Sequence, residues 1–89
     1  MVSASDLIVP GSIVISLAGH DRGDYAIVTA IDGDGYVLIA DGKRRKLEGP
    51  KRKKIKHLCF VCESKADLAG LSNTKLKKLL NNRELDSAL

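Results

Sequence analysis

The sequence predicts a mainly β fold, a small five-stranded barrel with a C-terminal α-helical appendage. Three observations predict it. Short β-branched runs recur between residues 12 and 58, Gly- and Asp-rich turns separate them, and a leucine stripe at helical spacing starts only after Asn73. Strands this short cannot each bury a face alone, and closing them into a barrel removes vulnerable edges. A chain of 89 residues has room for one domain. We therefore expect a lead-in over residues 1–9, the barrel over 10–62 and a helical tail over 63–89.

Pro10-Gly11 opens the β region. In Ser12-Ile13-Val14-Ile15-Ser16-Leu17, the residues Ile13, Ile15 and Leu17 alternate with smaller or more polar neighbours, the period-2 mark of a half-buried strand. Gly19 to Asp24 is too polar and Gly-rich to continue it and reads as a loop. Tyr25 to Ile31 is the second strand. Asp32-Gly33-Asp34-Gly35 supplies residues tolerant of positive φ, a hairpin signal, and Tyr36 to Ala40 is the third strand. After a second turn at Asp41-Gly42, Lys43 to Glu48 is the expected fourth strand. Gly49-Pro50 breaks it, and Lys53 to Leu58 is the expected fifth.

Beyond Glu63 the character changes. Ser64-Lys65-Ala66-Asp67 fits a capping box that opens a short helical turn, with Gly70 to end it. From Asn73, Leu76, Leu79, Leu80 and Leu85 mark an apolar stripe, and Lys75, Lys77, Lys78, Arg83 and Glu84 fall elsewhere. A helix of this length is marginal alone in water. It needs the barrel or a partner to pack on, and the sequence leaves that choice open.

The composition, 44% hydrophobic with one Phe, two Tyr and no Trp, implies a compact aliphatic core. No apolar stretch approaches the ~20 residues of a membrane span, and Met1 to Asp6 lacks the basic-then-apolar grammar of a secretory signal. A cytoplasmic monomer with no membrane association is expected. Two cysteines do not make a disulfide framework.

Charge placement is more informative than total charge. Between Lys43 and Lys56 stand nine cations, Lys43, Arg44, Arg45, Lys46, Lys51, Arg52, Lys53, Lys54 and Lys56, against the single acid Glu48. That stretch carries +8 of a chain whose total is +4, so the remainder sums to −4. Cations crowded on two strands repel one another unless a polyanion neutralises them, and each neutralised phosphate releases condensed counterions. Only Leu47 and Ile55 interrupt the run as apolar anchors. In the loop before the second strand, Gly23 is expected to allow a close backbone approach by a partner, with His20 and Arg22 then expected to project towards a phosphate or base edge.

Pro10 to Val28, a strand followed by Gly19-His20-Asp21-Arg22-Gly23 and a second strand, resembles a KOW motif. The continuation through the acidic-Gly turn and the basic strand to Lys53-Lys54-Ile55-Lys56-His57-Leu58 resembles the KOW-domain RNA-binding proteins of the large-subunit ribosomal "fourteen-e" type, in their short bacterial form. The resemblance covers residues 10–58. Gly23 stands at the signature glycine, Arg22 where a lysine is usual, and Ala26 where glycine is common. It implies an SH3-like (KOW) barrel that binds structured RNA, ribosomal RNA or tRNA, in translation or ribosome assembly. The rival expectation is a protein-interaction module of a transcription- or ribosome-associated complex, with the leucine stripe laid against a partner such as a ribosomal protein.

Other chemistry is weakly signalled. Cys59-Phe60-Val61-Cys62, with His57 upstream, can supply half of a tetrahedral zinc site, but no second cysteine pair completes it. We expect two strand residues and no metal or other cofactor. Tyr25, Tyr36 and Phe60 are the only Phe or Tyr residues. Each begins or ends an expected strand and is as open to barrel packing as to base stacking, and their scarcity beside abundant Lys and Arg favours backbone and shape recognition. No spacing groups a Ser or Cys nucleophile with a His and an acid, so no catalysis is expected.

Overall fold

The computed structural model describes residues 7–64 and 67–81 of the chain. Five strands, β1 (Ser12–Ser16), β2 (Tyr25–Ile31), β3 (Tyr36–Ala40), β4 (Lys51–Lys54) and β5 (Leu58–Glu63), form one antiparallel sheet in the order β4-β3-β2-β1-β5. One α-helix, α1 (Asn73–Asn81), follows. The expected second and third strands stand at their expected bounds, and the first stops one residue early, at Ser16.

The last two strands differ from expectation. Residues 43–48 are not a strand but a folded connection after β3. Asp41 is the reason: its Oδ1 accepts from the amides of Lys43 at 2.8 Å and Arg45 at 3.0 Å, so the chain turns on a side-chain acceptor. The amides of Asp41 and Gly42 both donate to the Arg45 carbonyl. The fourth strand is instead Lys51–Lys54, and the fifth is Leu58–Glu63, which contains both cysteines.

The sheet does not close into a barrel, since β4 and β5 remain its two edges. It is nonetheless strongly curled, and chain length requires this. Edges four strand spacings apart in a flat sheet lie about 19 Å from each other. The chain joins β4 to β5 through a single 3-10 turn, Ile55–His57, and four residue steps reach at most about 14 Å, or roughly 8 Å in 3-10 form. Only a curled sheet brings its edges within that reach.

Curling creates an inside and an outside, and both are apolar. Val14, Ala26, Val28, Val37 and Ile39 fill the inside together with Ile55 and Leu58 from the edge-to-edge link. Ile8 joins them, 2% exposed, so the lead-in contributes to the core. The Ser12 hydroxyl fixes it there by accepting from the Val9 amide at 2.9 Å. Outside, Ile13, Ile27 and Ala40 pack against Leu76 and Leu80 of α1. Burial on both faces explains why β2 reads as a continuous apolar run, and why the alternation in β1 does not mark one wet face. Thus Val14 and Ile13 are both buried on opposite faces, while Leu17, expected to point inward, is exposed.

The helix packs on the sheet. Ser72 caps it, its hydroxyl accepting from the Lys75 amide at 3.1 Å. Burial of Leu76 and Leu80 contributes about 1.5–3 kcal/mol each, enough to hold a helix of this length that would not persist alone. Leu79 packs beside them, while Arg83, Glu84 and Leu85 lie outside the described residues. The turn expected before the helix is a 3-10 turn over Leu68–Gly70, capped by Asp67 rather than Ser64. Lys65 and Ala66 of the expected capping box lie outside the described residues.

Helix and basic connection meet at Gly42. A Cβ there would stand 2.6 Å from the Asn73 carbonyl oxygen, and the backbone φ is +81°. Gly42→Ala is therefore expected to lower the unfolding free energy by about 2–4 kcal/mol, from backbone strain and overpacking together, read as a drop in the urea midpoint.

Candidate nucleic-acid interface

The nine cations of 43–56 fall into distinct environments. Lys43, Arg44, Arg45 and Lys46 sit exposed on the β3–β4 connection, which two anchors make rigid. Leu47 packs against the helix-side core, and its amide donates to Asn73 Oδ1 at 2.8 Å. The Asn73 side-chain amide in turn donates to both carboxylate oxygens of Glu48 at 3.0 Å, and this bond holds the Glu48 carboxyl below its usual range. The single acid of the basic run is thereby turned onto the helix start.

Along β4 the side chains alternate. Lys51 and Lys53 stand opposite Ile39 and Val37, on the inside of the curl, whereas Arg52 and Lys54 stand opposite Leu38 and Tyr36. Arg52 lies 3.7 Å above the Tyr36 ring centre and pairs with Asp32 at 2.7 Å. Both partners are exposed, so that pair adds little to stability. Lys54 and Lys56 are exposed, and Lys51 is half-buried.

Lys53 does not belong to the contact surface expected from the sequence. It is 7% exposed, and its Nζ donates to Asp21 Oδ1 at 2.9 Å and to the Ala18 carbonyl at 2.8 Å. The inward register of β4 places its stem among apolar residues, so the ammonium must find acceptors inside the molecule. Those acceptors belong to the loop after β1. Lys53 is a strut that fixes the loop against the opposite edge strand.

The loop Gly19–Gly23 is accordingly ordered from within. Asp21 also accepts from the Ser16 hydroxyl at 3.0 Å, and the Gly23 amide donates to the Ser16 carbonyl at 2.8 Å. Gly23 has φ +88°, with open space where a Cβ would be. His20 and Arg22 are exposed on the same loop. Burial pushes the Asp21 carboxyl up, but hydrogen bonds from Lys53 and Ser16 and the charges of Lys53 and Lys51 outweigh it and leave the group below its ordinary value.

The loop and the basic connection share one feature. A cleft of about 290 Å³ opens between them and α1. Gly23, Asp24 and Tyr25 line one side, Asp41, Lys43 and Arg44 the second, and Lys77 with Leu80 the third. The structure thus brings Gly23 of the loop beside Lys43 and Arg44 of the basic run. Lys77 was not legible as part of this site, because the position of the helix on the sheet decides it.

The remaining sequence candidates separate. In β5 the register slips at Val61, so Ile13 opposes Cys62 while Val14 opposes Phe60 and Ile15 opposes Cys59. Cys62 packs into the helix-side core and Cys59 is exposed. Among the described residues, no group of three His, Cys, Asp or Glu gathers as metal ligands. Phe60 packs on the inner core, Tyr36 lies under Arg52, and Tyr25 half-faces the cleft. No described helix is long and apolar enough to cross a membrane. No known protein family and no curated protein matches this chain.

The strut can be tested through stability. Lys53→Met should lower the unfolding free energy by about 2–3 kcal/mol, somewhat less than a fully buried pair because Asp21 keeps some solvent contact. Because Asp21 titrates lower in the folded protein than in the unfolded chain, its contribution is present above about pH 4 and is lost as the pH falls below that. Urea midpoints measured from pH 6 down to pH 3 should fall less steeply for Asp21→Asn than for the parent protein.

Proposed function

We propose that this chain is an RNA-binding protein that contacts structured RNA, ribosomal or transfer, in a translation or ribosome-assembly role, on an open SH3-like fold of KOW type. One observation carries the reading. Seven of the nine cations are exposed, and among the described residues only Arg52 of those seven has an ion-pair partner. They are held on a rigid connection and a strand edge rather than on a free tail, and a glycine loop stands beside them. An arrangement that concentrates unneutralised charge at fixed positions suits the regularly spaced phosphates of a folded nucleic acid. With few aromatics exposed, recognition rests on phosphates and shape, the mode suited to structured RNA. The role is binding, without catalysis.

The rival protein-docking reading has less support. It needs the leucine stripe of the tail to be free, and Leu76 and Leu80 are already buried against the sheet.

Crosslinking in cells followed by sequencing of the bound RNA tests the proposal, with ribosomal or transfer RNA expected and no RNA above background overturning it. In vitro, Arg45→Glu with Lys54→Glu should leave the unfolding midpoint nearly unchanged. The same pair should flatten the dependence of log affinity on log salt by about 1.4–1.8, two phosphates' worth of released counterions.

A further inference from the structure

The cleft beside Gly23 is not a phosphate groove alone, because it also carries two carboxylates. Lys43 and Arg44 line one wall and Lys77 another, so an anion entering there meets cations from two elements. Asp24 and Asp41 share the same space. Asp41 has Oδ1 engaged by two backbone amides, which explains its presence as part of the turn. Asp24 has no such role. Its carboxylate is exposed and, among the described residues, makes no hydrogen bond or ion pair, although Lys43 and Arg44 line the same cleft. Tyr25 and Leu80 add an aromatic and an aliphatic surface between the charged walls. The volume, about 290 Å³, lies at the lower end of small-molecule sites and suits one monomer.

We infer that the cleft is a pocket for a single unstacked guanine nucleotide of the bound RNA, with its phosphate on Lys43, Arg44 and Lys77 and its base edge on Asp24. This rests on the RNA-binding reading and deepens it. An ionised carboxylate can only accept hydrogen bonds, and its two oxygens match two parallel N–H donors. Guanine alone among the four bases offers adjacent donors, N1–H and the N2 amino group, on its pairing edge. Adenine and cytosine place an acceptor beside their amino group, and uracil sets its single N–H between two carbonyls. A carboxylate therefore selects guanine by attraction and rejects the others by leaving like partners face to face. Tyr25, half-buried on the wall of the cleft, supplies the aromatic face on which an extruded base stacks. The open backbone at Gly23 leaves the mouth clear of side chains.

The test is amide NMR on the full chain, titrated separately with 5′-GMP, AMP, CMP, UMP and inorganic phosphate. GMP should move the amides of Gly23, Asp24 and Lys77 and bind at least about tenfold more tightly than the other three nucleotides, the scale of charge-assisted hydrogen bonds. Asp24→Asn, which removes no described side-chain contact, should bring GMP and AMP to a common affinity, and with one carboxylate gone from the cleft phosphate should bind no more weakly than to the parent protein. Lys77→Met keeps the aliphatic stem that packs near Gly42 and should weaken all nucleotides alike. Equal affinity for GMP and AMP, shifts confined to another surface, or a GMP preference that survives Asp24→Asn would each overturn the inference. If crosslinking recovers RNA while GMP shows no preference, the pocket fails and RNA binding stands. If GMP is preferred at the cleft but no RNA is recovered in cells, the pocket stands as a nucleotide site and RNA binding fails.

Discussion

The shape of this protein depends on the three residues that join its two edge strands. A flat five-stranded sheet could not be connected edge to edge by so short a link, so the sheet curls, and the curl divides its side chains into an inner and an outer set. Ile55 opens that link, Leu58 follows it, and both enter the inner core, which ties the covalent constraint to apolar burial. Once the sheet curls, its convex face needs a cover. The helix provides one, and Asn73 at its start then organises the connection that bears most of the charge.

The electrostatics follow from this geometry. Lys53 points inside because of its register, and inside it must meet an acid. Asp21 meets it from a loop three strands away in the sheet order. The glycine loop is thereby locked to the edge strand, and the cations left over, four on the connection and others along β4, have no comparable partner inside. The internal pair of Lys53 with Asp21 and the outward placement of Arg52 and Lys54 are two results of the same alternation along Lys51–Lys54.

Much of the fold was legible in the chain. The bounds of β2 and β3 came directly from β-branched runs between Gly turns, and the helix start came from the leucine spacing after Ser72. The displaced fourth strand has a specific cause: Asp41-Gly42 reads equally as a two-residue hairpin turn and as the start of a longer side-chain-capped connection, and contacts to Asn73, 26 residues away from Leu47, decide between them. The inner and outer burial of β1 was hidden because a period-2 pattern presumes one wet face. In the site, the identity of the basic run was plain, but a string of lysines does not reveal which one is inward. That needs the register against β3. The partnership of Gly23, Arg44 and Lys77 needs the helix docked, which no local pattern encodes.

The exposed cations of β4 carry a further consequence. An edge strand offers unpaired backbone groups to any other edge, including that of a second copy of the chain. Arg52 and Lys54 line one such edge, so two copies approaching strand to strand would bring like charges together and separate again. The opposite edge, Leu58–Glu63, has a single acid and a register slip at Val61 as its safeguards. The two edges thus carry unequal deterrents to strand-to-strand pairing between copies, and any change that removes charge from β4 bears on that pairing as well as on the proposed recognition.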